Sequence, residues 1–310
     1  SFKMKIAFFT EMGFQGKIPR NHPNMRTEFA WIVALNADHY NLKDNLNQKY
    51  DLGIVINSKK HPEWVDITRL KQYCTQVAVM QEGPFWLFQD YELPNQIHYF
   101  NNLTNADIIL AHNEQDQKYY QGLTNHTDVR VMPSLMIEDP IGTLPVNDRK
   151  GIMIGGNMVS WYGGFDSYIL ASSVTDKIYS PKMGRAIEGE KQLGINQLPY
   201  LQWNEWIQAL HKCKIGIHMM RTHAAGTFAL NCSYLGIPCI GYEGLDTQNI
   251  LHPNLTVKDG DLNTARSILN KLWNNLDFYK EQCILTKQLY KQYYHENIFN
   301  STFKKQLEVS

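Results

Sequence analysis

The chain has 310 residues, 43% of them hydrophobic and 19% charged, with 30 Lys plus Arg against 30 Asp plus Glu. That length suits about two domains of ordinary globular composition. The zero net charge excludes a globally basic nucleic-acid binder, and no run approaches the ~20 apolar residues of a membrane span. The five cysteines are odd in number and never spaced CxxC, which argues against a disulfide framework or a zinc site. Met4 is expected to be the native start, with no signal peptide after it, and the protein is expected to be cytoplasmic.

Lys5–Thr10 is an apolar run ended by Gly13 and is predicted to be the first buried strand. The loop 13–26 carries Lys17, Arg20, His22 and Arg26 with no acid between Glu11 and Glu28, a local basic patch. Residues 26–36 show helical spacing, with Phe29, Ile32, Val33 and Asn36 on one face. Strands follow at 51–57 and 76–80, the second entered from a helix over 67–74. Further strands are predicted at 106–111 and 128–133, on either side of a helix over 114–122. Apolar strands alternating with helices imply an α/β fold whose parallel sheet is covered on both faces.

Residues 138–150 hold Pro140, Pro145, Gly142 and a charged end, Asp148-Arg149-Lys150, and read as an interdomain linker. The alternation then restarts with strands at 151–154, 177–179 and 199–201, a helix over 203–212 and a strand at 215–218. A helix over 226–235, a strand at 238–241 and a helical tail over 262–307 complete the chain. The expectation is two Rossmann-like domains with parallel sheets facing across a cleft. Their bounds are 1–143 and 144–290, and 291–310 is a terminal helix able to pack back on the first domain. Ligands of such sheets bind beyond the carboxyl ends of the strands.

Three carboxyl-end loops of the second domain hold candidate ligand groups. Gly155-Gly156-Asn157 follows its first strand, where glycines let backbone N–H groups approach a phosphate. It matches neither GxGxxG nor the P-loop, so dinucleotide and kinase readings lose support, and a plain strand-to-helix turn stays open. Lys182 and Arg185 follow the second strand and are able to neutralise a diphosphate, or are solvated surface charge. Arg221-Thr222-His223 precedes Gly226 and Thr227, a helix N-terminus suited to an anion. Asn231 lies about two turns beyond His223, in an otherwise apolar stretch, and either holds a ligand or bonds a neighbouring backbone group.

This order of strand, basic loop, glycine, helix with a polar residue, and Gly236-Ile237-Pro238-Cys239-Ile240 resembles the donor-binding segment of GT-B glycosyltransferases. The specific part covers 203–241; the outline, including Val131-Met132-Pro133-Ser134, covers most of the chain. The retaining members carry two glutamates here, seven residues between them; His223 and Asn231 stand in those places. The resemblance implies a nucleotide-sugar co-substrate, with a UDP-sugar expected, no tightly bound cofactor and no metal. Gly155, Gly156, Arg221 and Thr227 would face the diphosphate, and Asn231 the ribose.

Met4-Lys5-Ile6-Ala7 and Val55-Ile56-Asn57-Ser58 are also similar to the T-even phage DNA β-glucosyltransferases. That family's catalytic aspartate matches Glu82, in Val79-Met80-Gln81-Glu82-Gly83-Pro84, with Asp90 in reserve. An inverting transferase needs one such carboxylate to take the acceptor hydroxyl's proton. The same resemblance implies DNA as one acceptor, met by Lys17, Arg20 and Arg26 of the basic loop. A glycan or small-molecule acceptor, a nucleotide-sugar epimerase and a non-catalytic sugar-nucleotide binder remain the alternatives. The sequence leaves oligomeric state unassigned.

Overall fold

The apolar run that opens the sequence is a strand: β1 spans Ile6–Thr10 and all five residues are buried. The computed structural model describes residues 3–13, 16–125, 128–139, 141–142, 144–156, 158–182 and 187–308. Asn157 and Arg185, both candidate ligand residues, lie outside them. By its contacts the chain divides into two units. One comprises Ser1–Ile137, His223–Ala225 and Glu296–Ser310; the other comprises Glu138–Thr222 and Gly226–His295.

In the first unit β1 is followed by α1 (Glu28–Ala34), β2 (Asp38–Asn41), β3 (Tyr50–Ile56), α2 (Ile67–Leu70) and β4 (Cys74–Met80). Then come α3 (Leu93–Asn105), β5 (Ile108–Ala111), α4 (Glu114–Thr124) and β6 (Val129–Val131). The six strands are all parallel in the order β2-β1-β3-β4-β5-β6. Phe9, Val55, Val79 and Ile109 are fully buried and belong to one hydrophobic cluster, the stripe expected of a sheet covered by helices. The predicted helix over 67–74 shrinks to one turn, because Cys74 already pairs with Tyr50 in the ladder.

In the second unit β7 (Ile152–Ile154) leads to α5 (Gly164–Ser172), β8 (Ile178–Ser180), β9 (Asn196–Gln197) and α6 (Trp203–His211). β10 (Ile215–His218), α7 (Thr227–Tyr234), β11 (Cys239–Tyr242), α8 (Asp246–Leu251) and β12 (Thr256–Val257) follow. α9 (Leu262–Asn274) and α10 (Leu276–Tyr293) close this unit. Its sheet is again all parallel, in the order β12-β11-β10-β7-β8-β9. The strand expected at 199–201 is not formed; the ladder partner of β8 is Asn196–Gln197 instead. Those two residues are exposed and polar, so no apolar run marks them.

Some helices start where a side chain satisfies a first-turn N–H. Asn113 accepts from the Asp116 N–H at 2.8 Å, and Asp261 from Thr264 at 3.0 Å. α11 (Glu296–Gln306) belongs to the first unit: the buried Phe299 packs edge-on against Trp31, ring centres 4.9 Å apart. All five cysteines are buried and free, and burial pushes the Cys74 and Cys213 thiols up to about 12. No helix among the described residues is long and apolar enough to cross a membrane.

Gly163 is the position where backbone geometry constrains the second unit most tightly. Its φ is +65°, and an added Cβ would lie 1.7 Å from the Met219 carbonyl oxygen. Left-handed φ costs an L residue roughly 1–2 kcal/mol, and forcing Met219 aside adds a comparable overpacking cost. Gly163→Ala is therefore expected to lose about 2–4 kcal/mol of unfolding free energy, read by denaturant titration.

Candidate functional site

In each unit, chemistry-bearing residues gather at the carboxyl edge of the sheet. The order 2-1-3-4-5-6 of the first sheet reverses direction at β1 and β3, where doubly wound folds hold ligands. Glu11 follows β1 at this edge, Ser58 and Lys59 follow β3, and Gln81 and Glu82 follow β4. Glu28 joins them from the first turn of α1. The Ser58 hydroxyl donates to the Glu11 carboxylate, and the Lys59 ammonium to the Glu82 backbone carbonyl.

Glu82 reaches solvent, yet protein atoms crowd its carboxyl. The crowding desolvates the carboxyl and so disfavours its charged form. The carboxyl is pushed up to about 7, first by desolvation and then by the charge of Glu28. Lys59 opposes the shift; Glu11 and a hydrogen bond with Glu28 reinforce it. Lys59 is itself pulled down to about 8 by burial, against the charges of Glu82 and Asp116. Thr27, immediately before Glu28, sits at φ +43°, an outlier for a β-branched residue. Its hydroxyl donates to the Glu28 carboxylate.

Two groups next to Glu82 escaped the sequence reading. The Gln81 side chain is 2% exposed, and neither of its amide atoms has a hydrogen-bond partner among the described residues. Its backbone carbonyl meets His112 Nε2 at 3.0 Å, and burial lowers the pKa of that imidazole. Asp90, the reserve carboxylate, is exposed at the end of the 3-10 turn Leu87–Asp90.

The basic loop is largely neutralised by acids remote in sequence. Lys17 pairs with Asp38 at 3.1 Å, and Arg20 makes a two-pronged pair with Glu296 at 2.7 and 2.9 Å. Arg26 donates to the Asn24 side chain at 3.2 Å. Two of the three cations expected to meet a phosphate backbone, Lys17 and Arg20, are thus exposed and already hold carboxylates. The aromatic residues that follow Glu82 have different surroundings. Phe88 stacks on the buried Tyr99, whereas the half-buried Phe85 lies against Tyr119 and 6.4 Å from His223. His223–Ala225, read from sequence as part of the donor loop, belongs to the first unit, and the Ser134 hydroxyl donates to the Ala225 carbonyl.

In the second unit the sheet reverses between β7 and β10. Gly155 follows β7, and its N–H is committed to the Ile217 carbonyl at 2.9 Å, so it is not available to a phosphate. Its missing side chain serves packing instead: a Cβ would lie 2.5 Å from His218 Nδ1 and 2.6 Å from Phe228. Gly156 similarly makes room for Tyr162, whose ring stacks on Trp161 at 3.9 Å. His218, the last residue of β10, is another group the sequence reading missed. It is 4% exposed, burial lowers it to about 4, and its Nδ1 has no partner among the described residues.

Gly226 caps α7 with φ +71°, and Thr247 approaches so closely that only glycine fits. A glycine offers no side chain to the first-turn N–H groups of α7, so the helix N-terminus, beginning at the half-buried Thr227, keeps donors for an anion. Thr222 is buried. Arg221 is exposed and paired with Asp259 at 3.1 and 3.4 Å, which raises its pKa; Lys182 is also exposed. Asn231 is 4% exposed, and its amide oxygen accepts from the Trp206 indole at 3.1 Å, locking α7 to α6. The structure thus gives this amide a packing partner where the resemblance implied a ribose. No group of three or more His, Cys, Asp or Glu able to hold a metal occurs among the described residues.

No protein-family model matches the chain, and none of the curated proteins does. Solved structures do. HepE of Anabaena in complex with UDP-glucose superposes with a TM-score of 0.70 at 12% identity, covering 98% of this chain and 99% of that one. An α-glucosyltransferase in complex with UDP and a 13-mer DNA containing an HMU base gives 0.66 at 11%, again over 98% and 99%. The chain has the GT-B fold. A third GT-B structure, sucrose-phosphate synthase from Thermosynechococcus elongatus, gives 0.65 at 13%, over 83% of this chain and 72% of that one.

Replacing Asn231 separates its two roles. Asn231→Ala leaves the buried Trp206 N–H without its acceptor, at an expected loss of about 1–3 kcal/mol in unfolding free energy. If the residue only packs, UDP affinity of the folded variant stays at the wild-type value in calorimetric titration.

Proposed function

We propose that this protein is a glycosyltransferase that moves a sugar from a UDP-sugar to an acceptor hydroxyl, with Glu82 as the general base. The observation that carries the reading is the place of Glu82 beside Glu11, Glu28 and Lys59 at the carboxyl edge of the first sheet. A base works best when its pKa lies near the working pH, and Glu82, at about 7, stands at a strand's carboxyl end in a GT-B fold. Glu11 and Glu28 keep its proton affinity high, and Lys59 keeps the cluster from accumulating three bare charges.

On the donor side, the N-terminus of α7 and the loop after β7 would receive the diphosphate, with the neutral His218 imidazole beneath them. Arg221 would exchange Asp259 for phosphate. An exposed pair of this kind contributes only about 0–1 kcal/mol, so the exchange is inexpensive. The leaving UDP would then be stabilised by helix dipole and guanidinium without a metal. Gly156, Lys182 and Thr227 complete the proposed donor contacts. Attack by the acceptor oxygen as Glu82 takes its proton would invert the anomeric centre.

For the acceptor, the carboxylate cluster at the first sheet edge favours a glycan or small molecule over a phosphate backbone. DNA is the second reading, supported by the full-length likeness to the glucosyltransferase bound to HMU-containing DNA. Radiolabelled UDP-glucose offered with hydroxymethylated duplex DNA or with oligosaccharides separates the two. Label on DNA would overturn the first reading, and no transfer from any UDP-sugar would overturn the enzyme assignment.

Two variants test the machinery. Glu82→Gln is expected to reduce transfer by at least 10²-fold with UDP binding retained. In the wild type kcat/KM should rise with pH through about 7, since only the ionised carboxylate accepts a proton. The stability effect runs the other way. The folded-state value exceeds the unfolded one, so the protonated group stabilises the fold at low pH, and that contribution is lost as pH rises to about 7. Arg221→Ala should raise the KM for donor several-fold and leave the melting temperature unchanged; an unchanged KM would remove Arg221 from the site.

A further inference from the structure

The second unit contains a cavity of 440 Å³ away from the carboxyl edge of its sheet. It opens where α7 ends, at Tyr234 and Leu235, and is walled by the last residue of α6, by α10 and by the segment around Glu138 and Arg149. Because α7 runs from the carboxyl edge at Gly226 to the opposite edge at Gly236, the cavity lies at the far end of the helix from the proposed donor site.

The chemistry of its wall is strongly one-sided. Arg149, Lys287 and Lys291 carry permanent positive charge, and Glu138 is the one acid lining the cavity. That carboxylate is already engaged, accepting from the Tyr290 hydroxyl at 2.8 Å and lying 3.5 Å from His295. Arg149 is 7% exposed and has no carboxylate partner: it donates to the last carbonyls of α7, Leu235 and Gly236, each at 2.9 Å, and its Nε has no partner among the described residues. The Tyr279 hydroxyl also faces this guanidinium, and a buried cation held by neutral groups alone is costly. Lys287 and Lys291 stand one turn apart on α10, on the same face. The fields of these groups converge on His211, which is held below its ordinary value by burial first and then by Arg149 and Lys287. Tyr234 and Tyr290 pack edge-to-face at 5.3 Å with both hydroxyls occupied, leaving ring surface towards the cavity.

We infer that this cavity is a second, independent binding site for a small phosphate dianion, either inorganic phosphate or a phosphate monoester whose organic part lies against the tyrosines. The three cations of the wall outnumber the acids near it, Glu138 in the lining and Asp139 beside Tyr234, and an anionic ligand neutralises the excess. The volume is that of an ordinary small-molecule site. Oxygens of the phosphate would meet the two ammonium groups as charge-assisted hydrogen bonds, with the buried Arg149 guanidinium adding its charge from the wall.

The test is calorimetric titration of the full chain with inorganic phosphate and, separately, with ribose 5-phosphate, each with saturating UDP present to occupy the donor site. Sodium chloride at matched ionic strength is the control. One-site binding is expected, and at least tenfold weaker binding in Lys287→Ala/Lys291→Ala, whose mutated side chains are exposed and whose UDP affinity should be unchanged. Tighter binding of the monoester assigns the site to an organic phosphate; equal affinity assigns it to free phosphate. No binding of either anion, or equal binding by wild type and double variant, overturns the inference. If UDP itself fails to bind, the donor reading falls, but the comparison of wild type with double variant still decides this one.

Discussion

The constraint on which the rest depends is that both sheets are wholly parallel. Parallel strands place all their carboxyl ends on one edge, and the crossovers between them leave their loops there. Residues far apart in sequence, such as Glu11, Lys59 and Glu82, therefore meet without any long-range contact designed for the purpose. The second unit repeats the arrangement with Gly155, His218 and Gly226. Central strands such as β1 and β10 are buried at every residue, so the loops that follow them spring from rigid elements.

On that edge the electrostatics of the first unit turn on desolvation, reinforced by like charges. Three carboxylates and one half-buried lysine lie close together, and desolvation and carboxylate repulsion outweigh the attraction of Lys59 to bring Glu82 to about 7. Neither Glu82 nor Lys59 would titrate in this way alone. The strained backbone at Thr27, which carries Glu28 into the cluster, suggests that its placement is held against local preference by the surrounding packing.

The second unit manages charge differently. Arg221 and Asp259 form an exposed pair that a stronger anion can open, whereas Arg149 is buried and held by helix carbonyls. One cation is thereby available to exchange at the carboxyl edge, and the other is fixed at the opposite end of α7. Asn231 and Trp206 join α7 to α6 between these two ends. The helix is therefore a rigid spacer with an anion-attracting group near each terminus.

Much of the architecture was legible in the sequence because apolar runs of four to seven residues mark buried parallel strands wherever they occur. β1, β3, β4, β5, β10 and β11 all follow from that signal, as do the helices with clear periodicity. Glu82 was legible as well, since its place after β4 follows from chain order alone. β2 and β9 were not, because edge strands of Asp38–Asn41 and Asn196–Gln197 carry polar residues and form only by pairing with a neighbour already in place. α3 was missed for a related reason: its buried residues Tyr99, Asn102 and Leu103 lie among polar ones. By itself the sequence determined the alternation of strand and helix and the positions of the carboxyl-end loops. Tertiary structure alone decided which charges are paired. Lys17 finds Asp38, Arg20 finds Glu296 across most of the chain, and Asn231 turns inward to Trp206. Such pairings depend on distances in space, which residue type and spacing along the chain do not encode.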